Sequence, residues 1–193
     1  MSLRNALLSL LTVEPMTGYD LYKVFETSVG HVWHAPDSQI YPELKRMEAE
    51  GLITGQDVPW GPRGKKRQYA ITEEGIAEFK AWMNTPLDYA RTRDPAHLKA
   101  AYLEWAQPEP AKEQMRAHIA HHQALLAQWQ EKISEMEQGT NSMLERRLAN
   151  TEPEQQEATI AYKRFTYEGL IARAEAEIQW ATRGIELINR LNP

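Results

Sequence analysis

Two stretches of this chain place mostly apolar residues at alternating steps of four and three. Between residues 108 and 138 the series is Met115, Ile119, His122, Leu126, Trp129, Ile133 and Met136. Between 154 and 191 it is Ile160, Arg164, Tyr167, Ile171, Ala174, Ile178, Ala181, Ile185 and Ile188. That period holds one stripe of a helix against a partner helix, as in a coiled coil. Two antiparallel helices joined through residues 139–153 are expected. Breakers are distributed accordingly: nine of 11 prolines and seven of 10 glycines lie at or before residue 110. The 193 residues are therefore read as a compact module over 1–84, a linker over 85–93 and a helical domain over 94–193 that opens with a short helix near Asp94–Ala106.

Pairing within the chain covers one stripe of each long helix. Tyr162, Phe165, Leu170, Trp180, Leu187 and Leu191 lie off the strict seam of the last one. A second apolar stripe needs another partner, so the helices are expected to form a homodimer. The residues expected to carry it are Ile119, Leu126, Trp129, Ile133, Ile171, Ile178, Trp180 and Ile185.

The first 84 residues read as three helices, a hairpin and a fourth helix. Leu7, Leu8, Leu10 and Leu11 mark the first helix. Thr17 with Asp20 three residues on forms a near-capping box for a second helix reaching about Val29. Asp37 or Ser38 is expected to cap a third helix, with Pro42 at the end of its first turn and Gly51 as its stop. Leu52–Val58 and Arg67–Ile71 read as strands joined by the turn-rich WGPRGKK, and Thr72 opens the fourth helix. The fold class is mainly α: an N-terminal winged helix-turn-helix with a two-stranded wing, followed by an antiparallel coiled-coil dimerisation domain. In that plan the third helix enters the DNA major groove and the wing meets the backbone beside it.

Charge is consistent with this in its distribution, not in its total. The chain has 22 Lys and Arg against 27 acids, a net charge of −5, which excludes an evenly basic nucleic-acid coat. Yet residues 60–71 hold Arg63, Lys65, Lys66 and Arg67 with no acid. On the third helix a buried stripe of Ile40, Leu44 and Met47 leaves Gln39, Tyr41, Pro42, Lys45, Arg46 and Glu48 towards solvent. Gln can pair with adenine through two hydrogen bonds, while Ser, Tyr, Lys and Arg commonly meet phosphate.

The phrases MTGYDLYKVF, VGHVWHAPDSQIYPELKRMEAEGLIT and RGKKRQYAITEEG resemble the PadR family of bacterial transcriptional regulators. The resemblance is strong over residues 3–84, and the helical remainder resembles the coiled-coil-tailed branch of AphA-like activators and phenolic-acid repressors. It implies a homodimer on palindromic, double-stranded operator DNA, acting as a repressor released by a small aromatic effector. It also implies DNA contacts from Tyr19, Ser38, Gln39 and Tyr41 together with the wing cations, beside which Lys45 and Arg46 are added here from their solvent-facing positions. Tyr19 and Tyr41 serve equally well, in physical terms, as aromatics packing between helices. The chain departs from the tailed members at Arg93-Asp94-Pro95-Ala96, where an aromatic often follows Arg-Asp-x. The alternatives are a winged helix used for protein docking and an activator that senses no ligand.

Other chemistry is poorly supported. Zero cysteines exclude disulfides, thiol nucleophiles and cysteine-bound metals. Residues 61–66 lack the spacing of a phosphate loop, and no nucleophile–base set stands out, so no enzyme activity and no cofactor are expected. His118, His121 and His122 have helical ligand spacing, but Glu113 and Glu131 fall off their face, so they are read as solvated helix surface rather than a metal site. His122, being in the seam, is read as a hydrogen-bonded seam residue or a pH-sensitive dimer contact. The six tryptophans are read as core in preference to an aromatic-ligand cavity. With no apolar run long enough for a membrane span and no cleavable leader, a soluble, cytoplasmic protein is expected.

Overall fold

A computed structural model describes residues 3–25, 36–61, 64–89 and 93–192. The chain forms two compact units, Met1–Ala90 and Arg91–Pro193. The first contains α1 (Leu3–Leu11), β1 (Met16–Thr17), α2 (Gly18–Val24), α3 (Asp37–Ala49), β2 (Ile53–Trp60), β3 (Gly64–Ile71) and α4 (Glu73–Met83). The second contains α5 (Pro95–Ala100), a 3-10 turn at Leu103–Trp105, α6 (Pro108–Glu137), α7 (Ser142–Ala149) and α8 (Pro153–Leu191).

The apolar stripes of α1, α2 and α3 converge. Leu7, Leu8, Leu21, Phe25, Ile40, Leu44, Met47 and Ile53 are the largest fully buried side chains. Fully burying one such side chain contributes about 1.5–3 kcal/mol, so this cluster fixes how the three helices are rotated. Arg4 ties α1 to α3 through Glu43 at 3.2 Å and Glu50 at 2.7 Å. Thr17 caps α2 as the sequence suggests: its hydroxyl accepts the Asp20 amide at 3.2 Å and donates to the Asp20 carboxylate at 2.7 Å. The part of the expected second helix beyond residue 25 lies outside the described residues.

The start of α3 differs from expectation. Pro36 is the N-cap, without a side-chain hydrogen bond, so neither Asp37 nor Ser38 has that place. Pro42 accordingly sits inside the helix, past its first turn, where its missing N–H removes a helical donor. The end is as expected. Gly51 has φ of +78°, and the Leu52 amide reaches the Met47 carbonyl at 2.9 Å while that of Gly51 reaches Glu48 at 3.1 Å. This pair of bonds is a Schellman closure, which requires the left-handed conformation that glycine adopts without strain.

The sheet has three strands in the order β1-β3-β2, all antiparallel. The expected wing had two strands; β1 adds a third through Met16↔Tyr69 and Thr17↔Gln68. Its two residues are too short to leave a periodic signal. The wing strands are also longer than expected, pairing from Ile53↔Ile71 out to Trp60↔Gly64. Pro59 is tolerated because β2 is an edge strand.

In the second unit α6 and α8 run antiparallel. Ala111 and Met115 pack with Ala181 and Ile188, Trp129 packs with Tyr167 and Ala174, and Arg164 pairs with Glu137 at 2.8 Å. Ala174 and Ala181 are completely buried, so small residues on α8 face large ones on α6. The seam residue Arg164 is exposed, and Ile160 is 39% exposed; the seam loosens near the start of α8. The segment read as a connection holds α7 instead. Asn141 caps it by accepting the Leu144 amide at 3.0 Å, and Leu144 is buried.

Seven of the eight residues expected at a dimer interface pack within this hairpin. Ile119, Trp180 and Ile185 lie against the Met115 cluster; Leu126, Ile133 and Ile171 lie around Trp129, itself only 5% exposed. Ile178 is half-buried. Large apolar side chains that remain exposed on α8 include Tyr162, Phe165, Leu187 and Leu191. The tryptophans are not uniformly core: Trp129 is buried, but Trp60 and Trp105 are 59% and 86% exposed, and Trp33 lies outside the described residues. Nor are the α6 histidines all solvated surface, because His118 meets Glu177 of α8 at 3.1 Å. Among the described residues no helix is long and apolar enough to cross a membrane.

Gly75 lies in the first turn of α4. Its amide donates to the Thr72 hydroxyl at 3.0 Å, and a Cβ there would run into the Leu52 carbonyl oxygen and approach Ile71 Cγ1 to 2.9 Å. Backbone cannot move aside as a side chain can. Gly75→Ala is therefore expected to destabilise the first unit by about 1–3 kcal/mol in urea unfolding; an unchanged midpoint would contradict this packing.

Candidate nucleic-acid interface

The interface begins with the rotation of α3. Because Ile40, Leu44 and Met47 are all completely buried, the positions between them must face outwards. Ser38, Gln39, Tyr41, Lys45 and Arg46 are indeed exposed. Gln39 lies in the first turn and Lys45 and Arg46 lie towards the other end, so the helix presents an amide near its start and cations later. Arg46 is partly neutralised by Glu43 at 2.8 Å.

The wing and the start of α2 meet α3 at an open cleft of about 240 Å³, lined by Thr17, Gly18, Tyr19, Tyr41, Lys66, Arg67 and Tyr69. Tyr19 and Tyr41 are 49% and 44% exposed, so each keeps a face for a ligand while packing on the other. The Lys66 ammonium lies 5.1 Å from the Tyr19 ring centroid and 2.9 Å from that of Trp60. Lys23 is also 5.1 Å from the Tyr19 ring. These contacts hold cations over aromatic faces that leave N–H donors directed outwards. Tyr69 is buried, and desolvation, reinforced by the Glu48 carboxylate, pushes its phenol pKa up despite the nearby Arg67. It therefore remains a neutral wall of the cleft.

The wing cations are not equivalent. Arg67 forms an ion pair with Glu48 of α3 and approaches Asp57, its cross-strand neighbour, to 3.6 Å. Glu48 also accepts the Gly55 amide at 2.9 Å, so this cluster fastens the wing to α3. The acid-free appearance of residues 60–71 is thus a property of the sequence and not of the folded wing. Lys65 is exposed, and alternation along the strand sends it and Lys66 to opposite faces. Arg63 lies outside the described residues. The sequence pattern puts Glu48 on the solvent-facing side of α3, but no local spacing pairs it with Arg67, 19 residues away.

This arrangement can be compared with known proteins. The Transcriptional regulator PadR-like family profile matches residues 7–81, and a second profile, Virulence activator alpha C-term, matches residues 92–189. A negative transcriptional regulator, PadR of Bacillus subtilis, is 32% identical over 129 residues, covering 66% of this chain and 71% of that protein. The chain belongs to the PadR-like family of transcriptional regulators. It is a winged-helix, DNA-binding regulator of transcription.

Solved structures bear out the fold. Bacillus subtilis PadR in complex with operator DNA superposes with a TM-score of 0.78 at 24% identity, over 96% of this chain and 97% of that one. The same protein in complex with p-coumaric acid gives 0.67 at 24% identity, over 97% and 98%. The Vibrio cholerae virulence activator AphA gives 0.67 at 26% identity, over 98% and 99%. The departure of sequence at residues 93–96 has a local explanation: Asp94 caps α5 by accepting the His97 amide at 3.0 Å, and Pro95 occupies the first helical turn.

The difference between the wing cations is measurable. Lys65→Ala is expected to weaken DNA binding and flatten the log–log salt dependence by about one unit, as for a lost phosphate contact. Arg67→Ala, in which the cation removed is already paired, is expected to change that slope by well under half a unit, roughly the resolution of such a fit. Equal effects on the slope would show that Arg67 leaves Glu48 on binding.

Proposed function

We propose that this regulator acts as a homodimer on palindromic operator DNA, and that it represses transcription until a small aromatic effector releases it. The observation that carries the reading is the placement of exposed Gln39, Tyr41, Lys45 and Arg46 on α3 beside Lys66 and Tyr19. In this reading Gln39 reads a base edge in the major groove, while Tyr19, Ser38, Tyr41, Lys45, Arg46 and the wing lysines position the protein on phosphates. Residues 1–84 are the DNA-binding domain, 85–93 the linker and 94–193 the dimerisation domain.

Exposed Tyr162, Phe165, Leu187 and Leu191 on α8 support a helical dimer interface, since a surface helix presenting that many large apolar groups has a partner to bury them. Repression is supported by the B. subtilis relative, which is a negative regulator. Its complex with p-coumaric acid supports an effector of that chemical class.

A homodimer imposes a spacing. Two recognition helices meet successive major grooves about 34–36 Å apart or at a multiple of that distance. Moving one operator half-site by about five base pairs, half a helical turn, is therefore expected to reduce affinity by at least about tenfold, read in a gel shift at fixed salt. Undiminished affinity would overturn the dimer geometry. Gln39→Ala is expected to relax preference at one position per half-site, costing about 1–3 kcal/mol of discrimination there. A selection from random DNA that returned the wild-type motif unchanged would remove Gln39 from base reading.

A further inference from the structure

The second unit contains a group of polar side chains that DNA recognition does not use. His118 and His122 lie four residues apart on α6, so both project from the same side of the helix. Opposite them α8 contributes Glu177, whose Oε2 lies 3.1 Å from His118 Nε2. One ligand atom from each of the three residues lies within 4.8 Å of the others. All three are half-buried: the side chains of His118 and Glu177 are 15% and 22% exposed. His122 Nδ1 is buried with no hydrogen-bond partner, although an imidazole nitrogen in such a place ordinarily has one.

We propose that His118, His122 and Glu177 form a binding site for a divalent transition-metal ion of the zinc type, joining α6 to α8. Two imidazoles and one carboxylate are a recognised three-ligand set for zinc, leaving a fourth position for water or another donor. A histidine pair four residues apart on one helix can supply two of the bonds. Nitrogen donors favour such ions over magnesium or calcium, which prefer all-oxygen surroundings. Tetrahedral bonds of about 2.0–2.1 Å would place ligand atoms roughly 3.4 Å apart, closer than the 4.8 Å within which they now lie, so binding would draw the three side chains together.

The surroundings are compatible with this assignment. Trp180 stands edge-on to the His118 ring with centroids 5.3 Å apart, and it also stacks on His97 of α5 at 4.2 Å. These aromatic neighbours limit how far the His118 ring can swing. Burial, with smaller contributions from His118, His121 and Arg173, lowers the His122 pKa, against an opposing effect of Glu177. Arg173 is a like charge that an ion would have to tolerate, and Glu177 is the carboxylate that offsets it. His121, adjacent in sequence, is exposed and is not assigned as a ligand.

The test uses the full chain without a histidine tag, titrated with zinc in a calorimeter and with cobalt in the visible spectrum. One ion per chain is expected, with micromolar or tighter affinity, cobalt bands of four-coordinate intensity, and a Tm several degrees higher with excess zinc. His118→Ala, His122→Ala and Glu177→Gln should each weaken binding at least tenfold, whereas His121→Ala should not. Circular dichroism of each variant establishes that it is folded. Absence of saturable binding below about 100 µM in the wild type overturns the site. So does binding that the His118 and His122 variants leave unchanged. Loss in the histidine variants with full retention in Glu177→Gln overturns the link to α8. Because no readout involves DNA, failure of this site leaves the proposed operator binding untouched.

Discussion

The rotation of α3 is the constraint from which the interface follows. Ile40, Leu44 and Met47 are buried without residue, and at 3.6 residues per turn that leaves no freedom over which side chains face out. Turning the helix enough to bury Gln39 would expose at least one of the three, at a cost of about 1.5–3 kcal/mol. Tertiary packing therefore selects which residues of α3 face solvent before any nucleic acid is present. Arg4, bridging to Glu43 and Glu50, secures the same helix from the side of α1. The wing is attached at a third point, through Glu48 and Arg67.

That last attachment changes how the charge of the module is understood. Residues 1–84 contain nine cations and 11 acids, so long-range attraction to DNA is weak or absent. What matters is which cations have an acid beside them. Arg67 and Arg46 do; Lys66 instead lies over aromatic rings. An ion pair neutralises a cation at long range, whereas an aromatic face leaves its full charge and its donors available. The folded wing consequently offers a narrower positive surface than its sequence suggests. Such a footprint disfavours adhesion to arbitrary DNA, because non-specific affinity comes almost entirely from phosphate contacts.

Much of this architecture was legible in the amino-acid order. The Thr17 cap, the Gly51 stop, the buried stripe of α3 and the alternating seam of α6 and α8 are all local patterns, and local patterns survive in one dimension. The failures have physical reasons. β1 is two residues long and exists only because β3 has a free edge for it. α7 carries a short amphipathic signal, Asn141 followed by Leu144 and Leu148, that Gly139 and Pro153 on either side made resemble a loop. Glu48 with Arg67, and Glu177 with His118, join residues 19 and 59 positions apart. Spacing along one helix can test only carboxylates on that helix; the carboxylate that meets His118 comes from the antiparallel helix, where only the fold decides it.

The α6–α8 hairpin shows why a heptad pattern alone does not identify an oligomer. A seam specifies that a partner helix exists, not whether that partner lies in the same chain. Here Ala174 and Ala181 are fully buried against α6, and side chains as small as these allow a close approach of two helices that leaves their large partners, Met115 and Trp129, little exposure. Most of the residues with the strongest seam character are thereby satisfied within one chain. What the seam leaves unsatisfied is instead what breaks it: Tyr162 and Phe165, 74% and 72% exposed, on a helix whose other side is already occupied. An apolar residue out of register with an intrachain seam is thus the more discriminating indicator of an intermolecular contact, because the hairpin gives it no reason to be there.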